Sequence, residues 1–97
     1  MNQEISLVIK IEVQEGKRQE QINAFNTLAP IVRAELGCIQ YELKAVEDNE
    51  NQFVLLEKWA SMAALDAHDK TAHMVESDSK NHLFRAKPAE VLKLVDL

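Results

Sequence analysis

The spacing of apolar residues changes several times along this chain, and the order of those changes restricts the possible folds more than any other feature. In residues 5–13 every second residue is apolar, which predicts a β-strand with one apolar face. In residues 17–35 apolar residues recur every three or four positions, as on one face of an α-helix. Gly16 lies between the two patterns, where a turn is expected.

A second pair of strands follows the first helix. Residues 38–47 alternate again, and the polar run "DNEN" separates them from a return strand over residues 52–59. Two alternating segments joined by a short polar turn predict an antiparallel hairpin.

The remaining residues predict two short helices and a last strand. Ser61 and Thr71 are suitable N-caps, the first for a helix over residues 62–70 and the second for the helix that follows it. Residues 89–97 fit a final strand loosely. The order β-α-β-β-α-β, with the second helix split in two, predicts an α+β ferredoxin-like fold with an antiparallel sheet, in one domain over residues 1–97.

The return strand is apolar on both faces. Phe53, Leu55 and Trp59 share one face, and Val54 and Leu56 share the other. The helices of so short a chain can cover only one face, so the other face requires a partner. We therefore expect a homodimer joined through the sheet.

Charge and cysteine content exclude several classes of partner. Sixteen acidic and 11 basic residues give a net charge of -5. This charge argues against binding to nucleic acid or to an anionic membrane, since both require a basic surface. The single cysteine, Cys38, cannot form an intrachain disulfide, and neither a signal peptide nor a membrane-spanning apolar run is recognisable. We expect a cytoplasmic protein.

His68 and His73 are the candidate catalytic residues, and both have an alternative structural interpretation as polar residues at helix ends. On one continuous helix they would lie about 140° apart around the axis, whereas a helical zinc pair has a spacing of four. A helix break near Lys70 could still bring them together, but the spacing then carries no information. We therefore expect no metal site and consider histidine as a proton acceptor instead.

The candidate pocket residues are Trp59, Phe53 and Tyr41. Trp59 and Phe53 could form aromatic walls, Tyr41 could hydrogen-bond a ligand with its hydroxyl, and each of the three could simply pack in the core. Glu57 lies between large apolar residues on the same strand. It could be a buried acid, but we expect a cross-strand pair with Lys10 or Lys44.

Taken in order, these segments resemble the antibiotic biosynthesis monooxygenase family. The resemblance covers nearly the whole chain and rests on "VRAELGCIQYEL" and "FVLLEKWASMAALDAHDKTAH". The matching positions are Arg33, Glu35, Gly37, Cys38, Tyr41, Phe53, Leu55, Glu57, Trp59, Ala64, Leu65, His68, Thr71 and His73. Leu36 and Ala72 replace prolines of the family pattern, and Ile9 stands where heme-degrading relatives carry asparagine, which argues against heme degradation.

The resemblance implies a dimeric α+β barrel with a pocket between sheet and helices in each subunit. It also implies a monooxygenase without metal, flavin or other cofactor, acting with O2 on a small aromatic, quinol-like substrate. In that interpretation His68 is the base, His73 orients or stabilises the developing oxyanion, and Trp59, Phe53 and Tyr41 form the pocket. Two alternatives remain, namely an isomerase or degradative enzyme on the same fold and a dimeric binding module without catalysis.

Overall fold

The computed structural model describes residues 3–97, in which one antiparallel sheet carries three helices on one face. The strands are β1 (Ile5–Glu12), β2 (Cys38–Ala45), β3 (Gln52–Trp59) and β4 (Glu90–Leu94). The helices are α1 (Arg18–Arg33), α2 (Met62–Asp69) and α3 (Ala72–Lys80), and a single 3₁₀ turn, Asn81–Leu83, follows α3. The predicted β-α-β-β-α-β order, with the second helix divided, is confirmed.

The sheet has the strand order β2-β3-β1-β4, and every neighbouring pair is antiparallel. β1 and β3 pair along their whole length, from Ile5 opposite Trp59 to Glu12 opposite Gln52. A bulge between Cys38 and Gln40 shifts the start of β2 against β3. This is the ferredoxin-like arrangement that the order of elements predicts.

The two short helices begin where local signals place them. Ser61 accepts a hydrogen bond from the backbone N–H of Ala64 at 3.1 Å, and Thr71 accepts one from Met74 at 3.4 Å, so both predicted N-caps are confirmed. The longer helix α1 continues through Pro30 and ends at Arg33, two residues before the predicted end.

The two faces of the sheet differ in burial. Leu7, Phe53 and Trp59 belong to the core between sheet and helices, which also contains Val32 of α1 and Leu65 of α2. Residues of β3 alternate between buried and half-buried, so the second face remains partly accessible. That face carries Val8, Val54 and Leu56, together with Leu92 and Leu94, which are 53% and 48% exposed.

No helix in residues 3–97 has the length and apolar character needed to cross a membrane.

Gly37 connects α1 to the sheet in a conformation that few other residues tolerate. Its φ is +86°, and a Cβ built there would lie 2.6 Å from the Cβ of Ala64. Its carbonyl accepts a hydrogen bond from the backbone N–H of Ala60 at 2.8 Å. Both the positive φ and the close approach of α2 therefore require glycine.

Gly37→Ala is expected to destabilise the protein by about 2–4 kcal/mol, since strain at positive φ adds to a steric clash. Gly16→Ala is the matched control, because Gly16 also has a positive φ, +79°, but a Cβ added there would have no neighbour within 4 Å. Urea denaturation followed by circular dichroism measures both free energies of unfolding. Equal losses in the two variants would show that the contact with Ala64 does not matter.

Candidate active site

A buried carboxylate lies near the end of β3. Glu57 is only 5% exposed, and the indole N–H of Trp59 donates a hydrogen bond to its Oε1 at 2.9 Å. The predicted cross-strand pair with Lys10 or Lys44 is wrong. Both lysines lie opposite Val54, whose side chain is on the other face of β3 from that of Glu57. Burial raises the pKa of Glu57 above its ordinary value, while the Trp59 hydrogen bond and the charge of His68 act in the opposite direction.

His68 is held in the last turn of α2, against the indole of Trp59. The ring centroids are 4.4 Å apart, and His68 is 2% exposed. The hydroxyl of Thr71 donates to the carbonyl oxygen of His68 at 2.8 Å, so the residue that caps α3 also closes the end of α2. The helix break therefore fixes the backbone that carries the imidazole.

The imidazole of His68 lies between two carboxylates. Its Nδ1 is 3.0 Å from both carboxylate oxygens of Glu35, and its Nε2 is 4.0 Å from Oε1 of Glu57. The first contact is a hydrogen bond, and the second is too long to be one. With Nδ1–H donating to Glu35, Nε2 is the ring nitrogen that can accept a proton.

Glu35 also contacts the second candidate histidine. Its Oε2 is 2.7 Å from Nε2 of His73, near the start of α3. The break between α2 and α3 therefore brings His68 and His73 to the same carboxylate. In residues 3–97 no group of three or more His, Cys, Asp and Glu side chains is arranged to hold a metal ion.

A cavity of about 390 Å³ lies between the sheet and helices α1 and α3. His68, Glu57 and Tyr41 line it, and its middle is apolar, with Ile9, Leu28, Leu43, Leu55 and Met74. Arg85 and Asp78 also line it, together with Gln21 of α1. A volume of this size accommodates a small aromatic molecule.

Three of the predicted site residues lie outside this cavity. Trp59 is completely buried beneath His68, and Phe53 lies at the opposite end of β3, under the guanidinium of Arg18. His73 is 26% exposed and lines an outer groove between α1 and α3. Of the five predicted residues, His68 and Tyr41 line the cavity itself.

Tyr41 is suited to donate a hydrogen bond from the cavity wall. Its ring is stacked on Phe25 with centroids 5.5 Å apart. Burial, followed by the charge of Glu57, raises the pKa of Tyr41 well above its ordinary value of 10. The phenol therefore keeps its proton throughout the neutral range.

Several site residues escaped prediction from the sequence. Glu35 was noted only as part of the family pattern, and nothing in the spacing of the chain connects it to the two histidines. Arg85 and Gln21 lie 64 positions apart, yet the Arg85 Nε donates to the Gln21 side-chain oxygen at 3.0 Å. Such contacts between distant residues leave no local signal.

Comparison with known proteins identifies relatives along most of the chain. The family model described as "Antibiotic biosynthesis monooxygenase" matches residues 4–77. The "Putative monooxygenase YcnE" of Bacillus subtilis (strain 168) is 36% identical over 89 residues, which cover 92% of this chain and 94% of the relative.

Solved structures are similar over nearly the full length. One from Caulobacter crescentus CB15, described as "putative antibiotic biosynthesis monooxygenase", is 28% identical, covers 99% of this chain and 92% of that one, and has a TM-score of 0.92. PA3566 from Pseudomonas aeruginosa is 26% identical, with coverage of 100% and 97% and a TM-score of 0.90.

Glu57→Gln is expected to stabilise the protein relative to wild type as the pH rises. Because the folded-state pKa of Glu57 is raised above its unfolded value near 4.5, its contribution to stability is present below that value. The contribution is lost as the pH rises through the folded-state pKa, and glutamine has no such loss. Melting temperatures between pH 4 and pH 8 measure the difference, with the exposed Glu76→Gln as control. A difference in melting temperature between variant and wild type that stays constant with pH would contradict the raised folded-state pKa of Glu57.

Proposed function

The chain belongs to the antibiotic biosynthesis monooxygenase family, and we propose that it is a cofactor-independent monooxygenase that oxidises a hydroquinone or similar electron-rich phenol with O2. The proposal rests above all on His68, with Nδ1 bound to Glu35 and Nε2 left free beside a cavity large enough for such a ring.

His68 acts as the general base in this proposal. The substrate hydroxyl gives its proton to Nε2, and the carboxylates of Glu35 and Glu57 stabilise the imidazolium that forms. Glu35 fixes the tautomer, since its two oxygens both lie 3.0 Å from Nδ1. The proton on Nε2 is then available to the reduced oxygen species.

The substrate itself supplies the electrons. A phenolate is a far better electron donor than the neutral phenol, so deprotonation permits electron transfer to O2. One oxygen atom forms a bond to the ring and the other leaves as water, so hydroquinone and O2 give hydroxyquinone and water. The four electrons that reduce O2 all come from the substrate. The protein contributes to the rate by holding the reactants together and by excluding water.

Tyr41 and His73 have supporting roles. Tyr41 lines the cavity, and in this proposal its protonated hydroxyl donates to the substrate oxygen as negative charge develops. His73 does not line the cavity, so we assign it a positioning role through Glu35 and no direct contact with the oxyanion. Trp59 positions Glu57 and His68 from beneath, and the apolar residues of the cavity replace Phe53 and Trp59 as its walls.

We also propose that the protein is a homodimer joined through the accessible face of its sheet. That face presents Val8, Val54 and Leu56, and it continues onto the exposed Leu92 and Leu94 of β4. Burying such a face removes apolar surface from water, which is a common driving force for association. A second copy offers a face of the same shape and character.

Oxygen uptake by chelator-treated protein over a panel of hydroquinones and phenols tests the enzymatic proposal. Wild type is expected to consume O2 with at least one of them. His68→Gln should lower kcat about 100-fold or more, because glutamine can still bind Glu35 but cannot accept a proton. His82→Gln is the matched control, since His82 is exposed on the 3₁₀ turn and outside the cavity.

Each outcome of the uptake assay has a defined meaning. Equal turnover by His68→Gln and wild type would remove His68 from the mechanism. Conversion of a substrate under nitrogen would instead indicate an isomerase, and absence of uptake over the whole panel would count against the monooxygenase.

Leu56→Glu is expected to convert the dimer to a monomer at micromolar concentration, since it places a charge on the apolar sheet face. Multi-angle light scattering of wild type and variant measures the mass. Glu76→Lys, a charge change on the outer surface of α3, should leave the dimer intact. A monomeric wild type would rule out association through this face.

A further inference from the structure

The cavity wall also holds a cation, Arg85, whose backbone lies away from the acid–base group. The backbone of Arg85 forms an isolated β-bridge with Val13. Glu57 is paired with Leu7, which lies six residues before Val13 along the chain. Six residues of extended chain span about 20 Å. The side chain of Arg85 extends from that point into the cavity, where its charge opposes the rise in the pKa of Tyr41 and of Asp78. Tyr41 lies beside His68, with ring centroids 6.1 Å apart, so a single aromatic ring can reach from His68 to the guanidinium.

The guanidinium of Arg85 is fixed but not neutralised by direct contact. Its Nε donates to the side-chain oxygen of Gln21, which is itself only 4% exposed. No carboxylate within residues 3–97 approaches the guanidinium to 4.0 Å, although Asp78 lines the same cavity. Burial lowers the pKa of Arg85, and the charge of Asp78 opposes that shift.

The terminal nitrogens of Arg85 remain available to a ligand. The only hydrogen bond that its side chain makes to the described part of the chain is the one from Nε. Since no fully buried side-chain nitrogen or oxygen in residues 3–97 lacks a partner, the terminal nitrogens are accessible. A cavity-lining guanidinium with free N–H groups is a donor to an oxygen acceptor.

We propose that Arg85 binds a carbonyl or carboxylate oxygen at the end of the substrate remote from the hydroxyl group that faces His68. The inference rests on the proposed function for the hydroxyl end, and it narrows the substrate to aromatic hydroxyl compounds that carry an acceptor across the ring. Glu57, Asp69 and Asp78 outnumber the basic Arg85 and Lys93 in the cavity wall. This balance favours a neutral carbonyl over a carboxylate.

Calorimetric binding of three matched phenols tests this assignment. 4-Hydroxyacetophenone carries a carbonyl, 4-isopropylphenol has nearly the same shape without an acceptor, and 4-hydroxybenzoate carries an anion. The ketone should bind wild type about tenfold or more tightly than the isopropyl compound, because a hydrogen bond to a charged group is lost in the latter. The benzoate shows whether a carboxylate is accepted as well.

Two matched substitutions assign the effect to one cation. Arg85→Met keeps an apolar stem and removes the charge, and it should reduce the ratio between ketone and isopropyl compound to about twofold or less. Lys93→Met removes the other cation of the wall, which is exposed on β4, and should keep the wild-type ratio. Arg85→Lys provides a second variant if the Met variant does not fold, and it should also lose most of the ratio because lysine lacks the planar donor pair.

The outcomes separate this proposal from the enzymatic one. A wild-type ratio below about twofold, or no binding of either acceptor compound up to about 10 mM, overturns the acceptor site. A high ratio that persists in both Arg85 variants overturns the assignment to Arg85. Oxygen uptake measured on the same compounds reports on the enzymatic proposal alone. Binding of the expected pattern without oxygen uptake would therefore support the acceptor site and contradict only the enzymatic proposal.

Discussion

One carboxylate, that of Glu35, holds the site together. It lies just beyond α1, and it contacts His68 at the end of α2 and His73 at the start of α3 at 3.0 and 2.7 Å. Side chains from α2 and α3 therefore both contact the carboxylate that follows α1. Without that contact nothing would fix the tautomer of His68, and Nε2 would not be defined as the nitrogen that remains free.

The second carboxylate of the site has a different environment. Glu57 is buried in the sheet, and the Trp59 indole is the donor that satisfies one of its oxygens. Burial disfavours its charged form, while an imidazolium on His68 would favour it. Proton transfer to His68 would thus create a positive charge between two acidic groups, one partly exposed at the edge of the helices and one enclosed. A buried network of polar groups stabilises a protein only when every group in it has a hydrogen-bond partner. In residues 3–97 no buried polar side-chain atom lacks one.

Membership of the family accounts for the fold more fully than for the reaction. The structural similarity extends over 99% of the chain at a TM-score of 0.92, with 28% sequence identity. Function depends on the chemistry of individual side chains on that fold. In this chain the cavity wall combines the imidazole of His68, apolar side chains and the partly buried guanidinium of Arg85. The accessible sheet face lies on the side of the sheet opposite the cavity.

Local patterns in the chain were enough to define the elements and their order. Alternating and helical periodicities located all four strands, and Ser61 and Thr71 marked two helix starts, because these signals depend on neighbours within one turn or one strand. The ordered motifs also pointed to the family, and His68 and Tyr41, two of the residues they singled out, line the cavity.

Which groups meet was set by tertiary packing alone. Glu57 accepts a hydrogen bond from Trp59 and pairs with no lysine, Glu35 joins two histidines, and Arg85 reaches Gln21. The last two of these contacts join residues whose distance along the chain carries no information. Their geometry depends on how the helices pack on the sheet, and that packing is a property of the whole chain and not of any one segment.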